Sequence, residues 1–155
     1  MIVLYLLYLN YFEYLQSISM ATPLPPPENP VIRLSFYFNH SPDMTDAEFH
    51  SYWRHKHGAL VVASQTFLDS NVQKYTQIRK DTALDDKAKA MGLQVVDTDW
   101  DGCSEIDFRS WDDYMQFAGS QEMREVVAPD GDRMTDTKKG IRVMFSRVDP
   151  IFDRA

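Results

Sequence analysis

Apolar and polar residues alternate in four stretches of the chain, at residues 31–38, 72–79, 102–108 and 141–148. Alternation with a period of two, in segments rich in β-branched and aromatic residues, is typical of β-strands. Because successive side chains of a strand point to opposite faces, Glu105 should share a face of the third strand with residues 103 and 107. The pattern therefore predicts four strands, each with a distinct apolar face.

The segments between these strands have sequence patterns that are typical of helices. Thr45 followed by Glu48 forms a capping box, so we expect a helix over residues 46–57 that ends at Gly58, followed by a further apolar stretch over residues 59–67. A short polar helix is expected over residues 81–91. Ser110 should cap the last main helix, which the Pro-Asp-Gly sequence at 129–131 should end.

The order strand, helix, strand, strand, helix, strand predicts an α+β fold of the ferredoxin-like βαββαβ type. Right-handed crossovers place both helices on one face of a four-stranded antiparallel sheet. The other face is then left for a partner, and a second copy of the chain is the natural one, so we expect a homodimer. This domain should span residues 31–152.

Residues 1–30 differ from the rest of the chain. Residues 1–19 are apolar and aromatic, but the unbroken apolar run covers only residues 2–9, which is too short to cross a bilayer. Met20 is followed by a linker with five prolines up to residue 30. We interpret residues 1–30 as an extension and linker outside the domain. We favour the interpretation that Met20 is the true start of the protein. The alternative is that residues 1–19 form an added amphipathic helix that anchors to a membrane or a partner.

Composition excludes several classes of function. The 155 residues carry a formal net charge of −7, which argues against nucleic acid and anionic membranes as partners. The single cysteine, Cys103, cannot form an internal disulfide and fits a reducing, cytoplasmic environment. No dinucleotide or phosphate-loop motif is present, so we expect no cofactor.

Candidate chemistry concentrates in the first helix. Phe49, Trp53 and His57 recur every four residues and therefore lie on the apolar stripe. His57 is either a hydrogen-bonded core residue or an acid–base group, since imidazole exchanges protons near neutral pH. His55 shares a helical face with neither His50 nor His57. His50 and His57 do share a face, but Trp53 and Arg54 lie between them, so we predict no metal site.

The strands supply further candidates. Tyr75 and Gln77 share one face of the second strand, where Tyr75 is either a packing aromatic or a functional group. Glu105 and Asp107 share a face of the third strand. They are ordinary surface charges if that face is solvated, whereas a pocket would allow one of them to act as a proton donor.

Five segments in order resemble the EthD family, and together they span nearly all of residues 31–150. They are TDAEFHSYWRHKHGALV at 45–61, KYTQ at 74–77, WDGCSE at 100–105, SWDDY at 110–114 and PDGDRMTD at 129–136. The chain departs from the family pattern at Met134, where Phe is common, and at Gly131, where an acidic residue is common. The resemblance implies a dimeric α+β barrel and similarity to fungal decarboxylases of aromatic polyketide acids. Residues 82–99 are long for the family and are interpreted as a lid.

The resulting hypothesis is a cofactor-free lyase that removes carbon dioxide from an aromatic polyketide carboxylic acid of fungal secondary metabolism. His57 would be the acid–base group, Tyr75 would bind a phenol or ketone oxygen, and Glu105 or Asp107 would assist the histidine. Binding of a flat substrate is assigned to these side chains: Phe36, Tyr37, Trp53 and Gln77. Dehydration or ring closure in the same pocket, and non-catalytic binding of a small molecule, are the alternatives.

Overall fold

The computed structural model describes residues 24–25, 27–96 and 98–152. The chain divides into two compact units, one formed by residues 29–148 and the other containing the described residues of the segments 24–28 and 149–152. In the second unit, the backbone amide of Leu24 donates a hydrogen bond of 2.9 Å to the carbonyl of Ile151. The predictions about residues 1–23 lie outside the described part of the chain.

Four strands form one antiparallel sheet in the order β2-β3-β1-β4. Their bounds are Ile32–Phe38 (β1), Val72–Arg79 (β2), Gly102–Phe108 (β3) and Arg142–Arg147 (β4). Each lies within the stretch that alternation predicted. The two central strands pair with each other, and β2 and β4 form the edges. This arrangement confirms the ferredoxin-like α+β fold.

The first helix does not end at Gly58, contrary to our prediction. It runs through Asp46–Tyr52 (α1), a π-helical turn at Trp53–His57 and Gly58–Ala63 (α2), and Gln65–Asp69 (α3) follows. Gly58 has ordinary helical angles, φ −59° and ψ −40°. Glycine is only a weak helix breaker, and here the absence of a side chain serves close packing: a Cβ at this position would lie 2.9 Å from Nε2 of Gln77.

The later helices lie close to their predicted bounds. They are Thr82–Ala90 (α4), Trp111–Gly119 (α5), a π-helical turn at Met123–Val127 and Ala128–Asp132 (α6). The Pro-Asp-Gly sequence at 129–131, which was predicted to end the last main helix, forms part of α6, and α6 ends one residue later at Asp132. Pro129 occupies the first turn of α6, where a missing backbone N–H is tolerated. Within the described residues, no helix is long and apolar enough to cross a membrane.

The predicted caps are present. The hydroxyl of Thr45 accepts a hydrogen bond from the amide of Glu48, whose carboxylate accepts one from the amide of Thr45 at 2.9 Å. Ser110 likewise accepts from the amide of Asp113 at 3.1 Å. Each such cap stabilises its helix by about 1 kcal/mol. The caps fix where α1 and α5 begin above the sheet.

One face of the sheet packs against the helices and forms two clusters of buried residues. The first consists of Leu34, Ile106, Phe108 and Phe117. The second consists of Phe38, Phe49, Trp53 and Met134. The register confirms that the alternating apolar residues of β1 and β3 share this face, since Leu34 lies opposite Ile106.

The opposite face of the central strands is polar. Arg33 of β1 forms a two-bond ion pair with Asp107 of β3, at 2.7 and 3.0 Å, and contacts Glu105 at 3.0 Å. The hydrogen bond to Asp107, opposed by burial and aided by the charges of both carboxylates, raises the pKa of Arg33 above its usual value. The two acids are thus held together by one shared guanidinium group.

Candidate active site

A cavity of about 160 Å³ lies between the sheet and the helices of residues 29–148. Its walls draw on both core clusters, with Ile106 and Phe117 from the first and Phe38 and Met134 from the second. A cavity of about 150 Å³ in another protein holds one benzene molecule. The enclosed space therefore accommodates a single aromatic ring, and a larger ligand would extend through its opening.

His57 contributes its imidazole ring to the wall of this cavity. It is the last residue of the first π-helical turn, and Asp130 follows the second π-helical turn along the chain. Nδ1 of His57 lies 2.9 Å from a carboxylate oxygen of Asp130, and the two side chains are only 12% and 15% exposed. Because Nδ1 is engaged in this contact, Nε2 is the nitrogen left for a ligand.

Tyr52 holds the other oxygen of the Asp130 carboxylate. The Tyr52 hydroxyl donates to it over 2.7 Å. Burial opposes ionisation of Asp130, but the hydrogen bonds from Tyr52 and His57 outweigh it, so the pKa of Asp130 lies below its usual value. The same hydrogen bond raises the pKa of Tyr52. Asp130 is therefore a carboxylate at neutral pH with both of its oxygens occupied.

The missing side chain at Gly131 leaves room for the histidine. A Cβ at this position would lie 3.3 Å from Cε1 of His57 and 3.8 Å from Nε2. Such a contact is closer than a relaxed carbon–carbon contact and would push the ring from its place. The departure from the family pattern at position 131 thus fits the packing of the candidate acid–base group. Met134, the other departure, is a buried core residue.

Tyr75 and Gln77 of β2 lie on the helix-facing side of the sheet. Tyr75 is opposite Ile106 in the register and lines the cavity, as Phe36 of β1 also does. Gln77 is one pleat further along and does not line the cavity itself. Its amide nitrogen donates to the Tyr75 hydroxyl at 3.1 Å and to the carbonyl of Trp53 at 2.9 Å.

The other predicted site residues lie elsewhere. Trp53 is a core residue, 1% exposed, and does not wall the cavity. Glu105 and Asp107 contact Arg33 on the opposite face of the sheet, so neither is the partner of His57. Tyr37 shares that opposite face, and its ring packs against Trp100 with a centroid separation of 5.5 Å.

The interpretation of residues 82–99 as a lid receives no support from the cavity. None of its lining residues comes from this segment, and α4 has no buried residue in the part of the chain that the structure describes. Among the described residues, no group of three His, Cys, Asp or Glu side chains is placed to hold a metal ion.

Sequence reasoning did not identify Asp130 or Tyr52 as site residues. Asp130 is 73 positions from His57, and the Pro-Asp-Gly sequence was interpreted only as a helix end. Tyr52 precedes Trp53 and lies off the apolar stripe of α1. The one available signal was the acidic segment 129–136, which the family resemblance had already singled out.

Known proteins with similar sequences or structures agree with this architecture. The family model for the EthD domain matches residues 41–138, which is more than half of the chain. The chain belongs to the EthD family. No curated protein sequence is significantly similar to it.

Similar solved structures support the fold of this EthD protein. An EthD family protein from Bacillus halodurans C-125 is 12% identical, with a TM-score of 0.51, and the match covers 75% of this chain and 96% of that one. A dimeric ferredoxin-like protein of unknown function from Thermobifida fusca YX is 10% identical, with a TM-score of 0.52 and coverage of 83% and 100%. A dimeric ferredoxin-like protein from Bacteroides fragilis NCTC 9343 is 11% identical, with a TM-score of 0.50 and coverage of 76% and 96%.

Proposed function

We propose that this EthD protein is a cofactor-free decarboxylase of an aromatic polyketide carboxylic acid. The observation that carries the proposal is the His57–Asp130 pair at the wall of an apolar cavity, with Nε2 of His57 available to a ligand. An acid–base group beside an aromatic-sized cavity is what proton-coupled loss of carbon dioxide requires.

The proposed reaction begins with proton transfer from Nε2 of His57 to the ring carbon that carries the carboxylate. This protonation converts a neighbouring phenolate of the substrate into a ketone and places the carboxylate β to that ketone. The bond between the ring carbon and the carboxylate then breaks, carbon dioxide leaves, and the electron pair restores the aromatic phenolate. The net change replaces the carboxylate by the proton, and His57 recovers its proton from solvent. Asp130 orients the ring of His57 and stabilises the positive charge on it.

The remaining walls support this reaction. Phe36 and Phe117 present aromatic surface to a flat ring. Tyr75 donates a hydrogen bond to the oxygen on which negative charge develops when carbon dioxide departs. Because the cavity has few charged groups, the carboxylate of a bound substrate is poorly hydrated there. Poor hydration of this charge favours conversion of the carboxylate into neutral carbon dioxide.

The test is incubation of the purified protein with a panel of aromatic acids, from single-ring hydroxybenzoates to anthrone and anthraquinone carboxylic acids. Mass spectrometry should detect loss of carbon dioxide from at least one of them. His57→Ala should slow this reaction by on the order of 10²- to 10⁴-fold while the protein stays folded. His55→Ala is the matched control, because His55 is exposed on the same π-helical turn.

Other products would lead to a different assignment. Loss of water with retention of the carboxylate would assign a dehydratase, and a product of unchanged mass would assign a cyclase. Binding of the acids without any product, together with unchanged binding in His57→Ala, would assign a non-catalytic binding protein. Full activity in His57→Ala would exclude this residue as the acid–base group.

We further propose that the protein acts as a homodimer, located in the cytoplasm. Two of the similar solved structures are described as dimeric, and the sheet face opposite the helices carries exposed Ile78 and Met144. Light scattering at micromolar concentration should give twice the chain mass of 18.0 kDa. A single species of the chain mass would contradict the proposal.

A further inference from the structure

The side-chain amide of Gln77 joins three parts of the site. Nε2 lies 2.9 Å from the carbonyl oxygen of Trp53 and 3.1 Å from the hydroxyl oxygen of Tyr75. The same carbonyl accepts the backbone N–H of Gly58, which closes the π-helical turn that carries His57. The amide approaches so closely because position 58 has no Cβ.

The chemistry of these neighbours fixes the orientation of the amide. A backbone carbonyl can only accept hydrogen bonds, so the amide atom facing Trp53 must be the nitrogen. That nitrogen has two protons, one for the Trp53 carbonyl and the other for the Tyr75 oxygen. The amide oxygen of Gln77 therefore points away from the Tyr75 hydroxyl.

This orientation determines what the Tyr75 hydroxyl can offer to a ligand. A phenolic hydroxyl has one proton to donate, and its oxygen already accepts from Gln77. Among the described residues, none accepts the Tyr75 proton. Tyr75 lines the cavity and also the neighbouring groove that Gly58 and Gln77 line, so its proton is left for an acceptor atom of a ligand bound there.

We propose that Gln77 is a positioning residue that makes Tyr75 an obligate hydrogen-bond donor, so that the cavity selects ligands with an acceptor oxygen, such as a ketone or phenolate, over ligands with apolar groups in that place. This proposal rests on the role of Tyr75 in the proposed function. It names the ligand class and replaces our initial assignment of Gln77 as a direct substrate contact.

The experiment compares two single-ring probes of nearly the same shape, acetophenone and ethylbenzene, by NMR titration of the full-length protein. Only acetophenone has an acceptor oxygen. The wild-type protein should bind it about two- to tenfold more tightly, which is the net value of one neutral hydrogen bond. Neither probe can be decarboxylated, so this test is independent of whether the protein has the proposed activity.

Three variants locate the source of the preference. Tyr75→Phe should abolish it without changing ethylbenzene binding. Gln77→Glu presents acceptor oxygens to the Tyr75 hydroxyl, which then donates to the new carboxylate, so the preference should again disappear while ethylbenzene binding persists. Gln77→Met covers the case in which Gln77→Glu does not fold, and it should reduce the preference because the hydroxyl is no longer oriented.

A purely structural role of Gln77 would lower the affinity for both probes alike. The proposal is overturned if the wild-type protein binds both probes equally well. It is also overturned if the preference survives in Tyr75→Phe or remains undiminished in a folded Gln77 variant.

Discussion

Replacing Asp130 by asparagine tests the proposed site at its most specific contact. The change keeps the size of the side chain but removes its negative charge. In the wild-type protein the two carboxylate oxygens accept from Tyr52 at 2.7 Å and bind Nδ1 of His57 at 2.9 Å. An amide has only one acceptor oxygen, so the variant can keep at most one of these two hydrogen bonds in its present form.

The size of the effect follows from these contacts. Hydrogen bonds to a charged group contribute about 1.5–3 kcal/mol, whereas neutral ones contribute about 0.5–1.5 kcal/mol. Replacing the charged contact at His57 by a neutral one should therefore raise the activation free energy by about 1–2 kcal/mol, which corresponds to a rate roughly 5- to 30-fold lower. The loss should be smaller than in His57→Ala, because the imidazole itself remains.

The assay is the turnover number of Asp130→Asn on whichever aromatic acid the panel identifies. Asp112→Asn is the control, since this exposed carboxylate lies at the start of α5 and outside the cavity. A rate equal to that of the wild-type protein in a folded Asp130→Asn variant would refute the reasoning. So would an equal loss in the control.

The same variant tests the pH dependence of stability. The pKa of Asp130 is lower in the folded protein than its ordinary value near 4. A carboxyl group with a lowered pKa contributes stability above its unfolded pKa, and this contribution is lost as the pH falls through the folded pKa. Urea unfolding should therefore show a stability difference between wild type and Asp130→Asn at pH 7 that shrinks by pH 3. An unchanged difference would contradict the pKa direction.

Three further predictions concern packing, charge and metal dependence. Gly131→Ala should lower turnover about tenfold by displacing the imidazole of His57, the proposed acid–base group. Gly119→Ala should not, because nothing beyond its own adjacent backbone lies within 4 Å of a Cβ there; circular dichroism would show both variants folded. Arg33→Leu should lower the free energy of unfolding in urea by about 2–4 kcal/mol, because it leaves Asp107 buried without its partner. Arg142→Leu removes an exposed ion pair and should lower the free energy of unfolding by less than about 1 kcal/mol. Excess EDTA should leave turnover unchanged, and recovery of lost activity by one added metal would contradict a metal-free reaction.

The fold could be predicted from the sequence because its signals are local. Strand alternation depends on neighbouring residues, and the cap at Thr45 depends on one residue three positions away. The predicted helix end at Gly58 failed for an equally physical reason. Glycine is only a weak helix breaker, and at position 58 the missing side chain allows close packing against Gln77, while Pro129 is tolerated in the first turn of a helix.

The candidate site was only partly predictable, because its key contact is not local. The i, i+4 spacing from Phe49 through Trp53 correctly predicted that His57 lies on the side of the helix that faces the sheet. The spacing could not show that Asp130 completes the pair, since that depends on how two distant helices pack. Glu105 was a reasonable candidate from alternation alone, but alternation leaves open which face of the sheet binds Arg33.

The two π-helical turns explain how this pair is assembled. One carries His57 at its end, and the other directly precedes the short helix that contains Asp130. A π-helical turn adds a residue to the normal helical repeat and rotates everything after it, which is why such turns recur at functional sites. In the first turn the carbonyl of Trp53 accepts the backbone N–H of Gly58, and the side-chain amide of Gln77 donates a second hydrogen bond to it while contacting Tyr75. The irregularity that places His57 is thus stabilised by the same amide that orients the proposed ligand-binding hydroxyl. A substitution at Gln77 should therefore affect both groups together, whereas a substitution at Tyr75 should leave the placement of His57 unchanged.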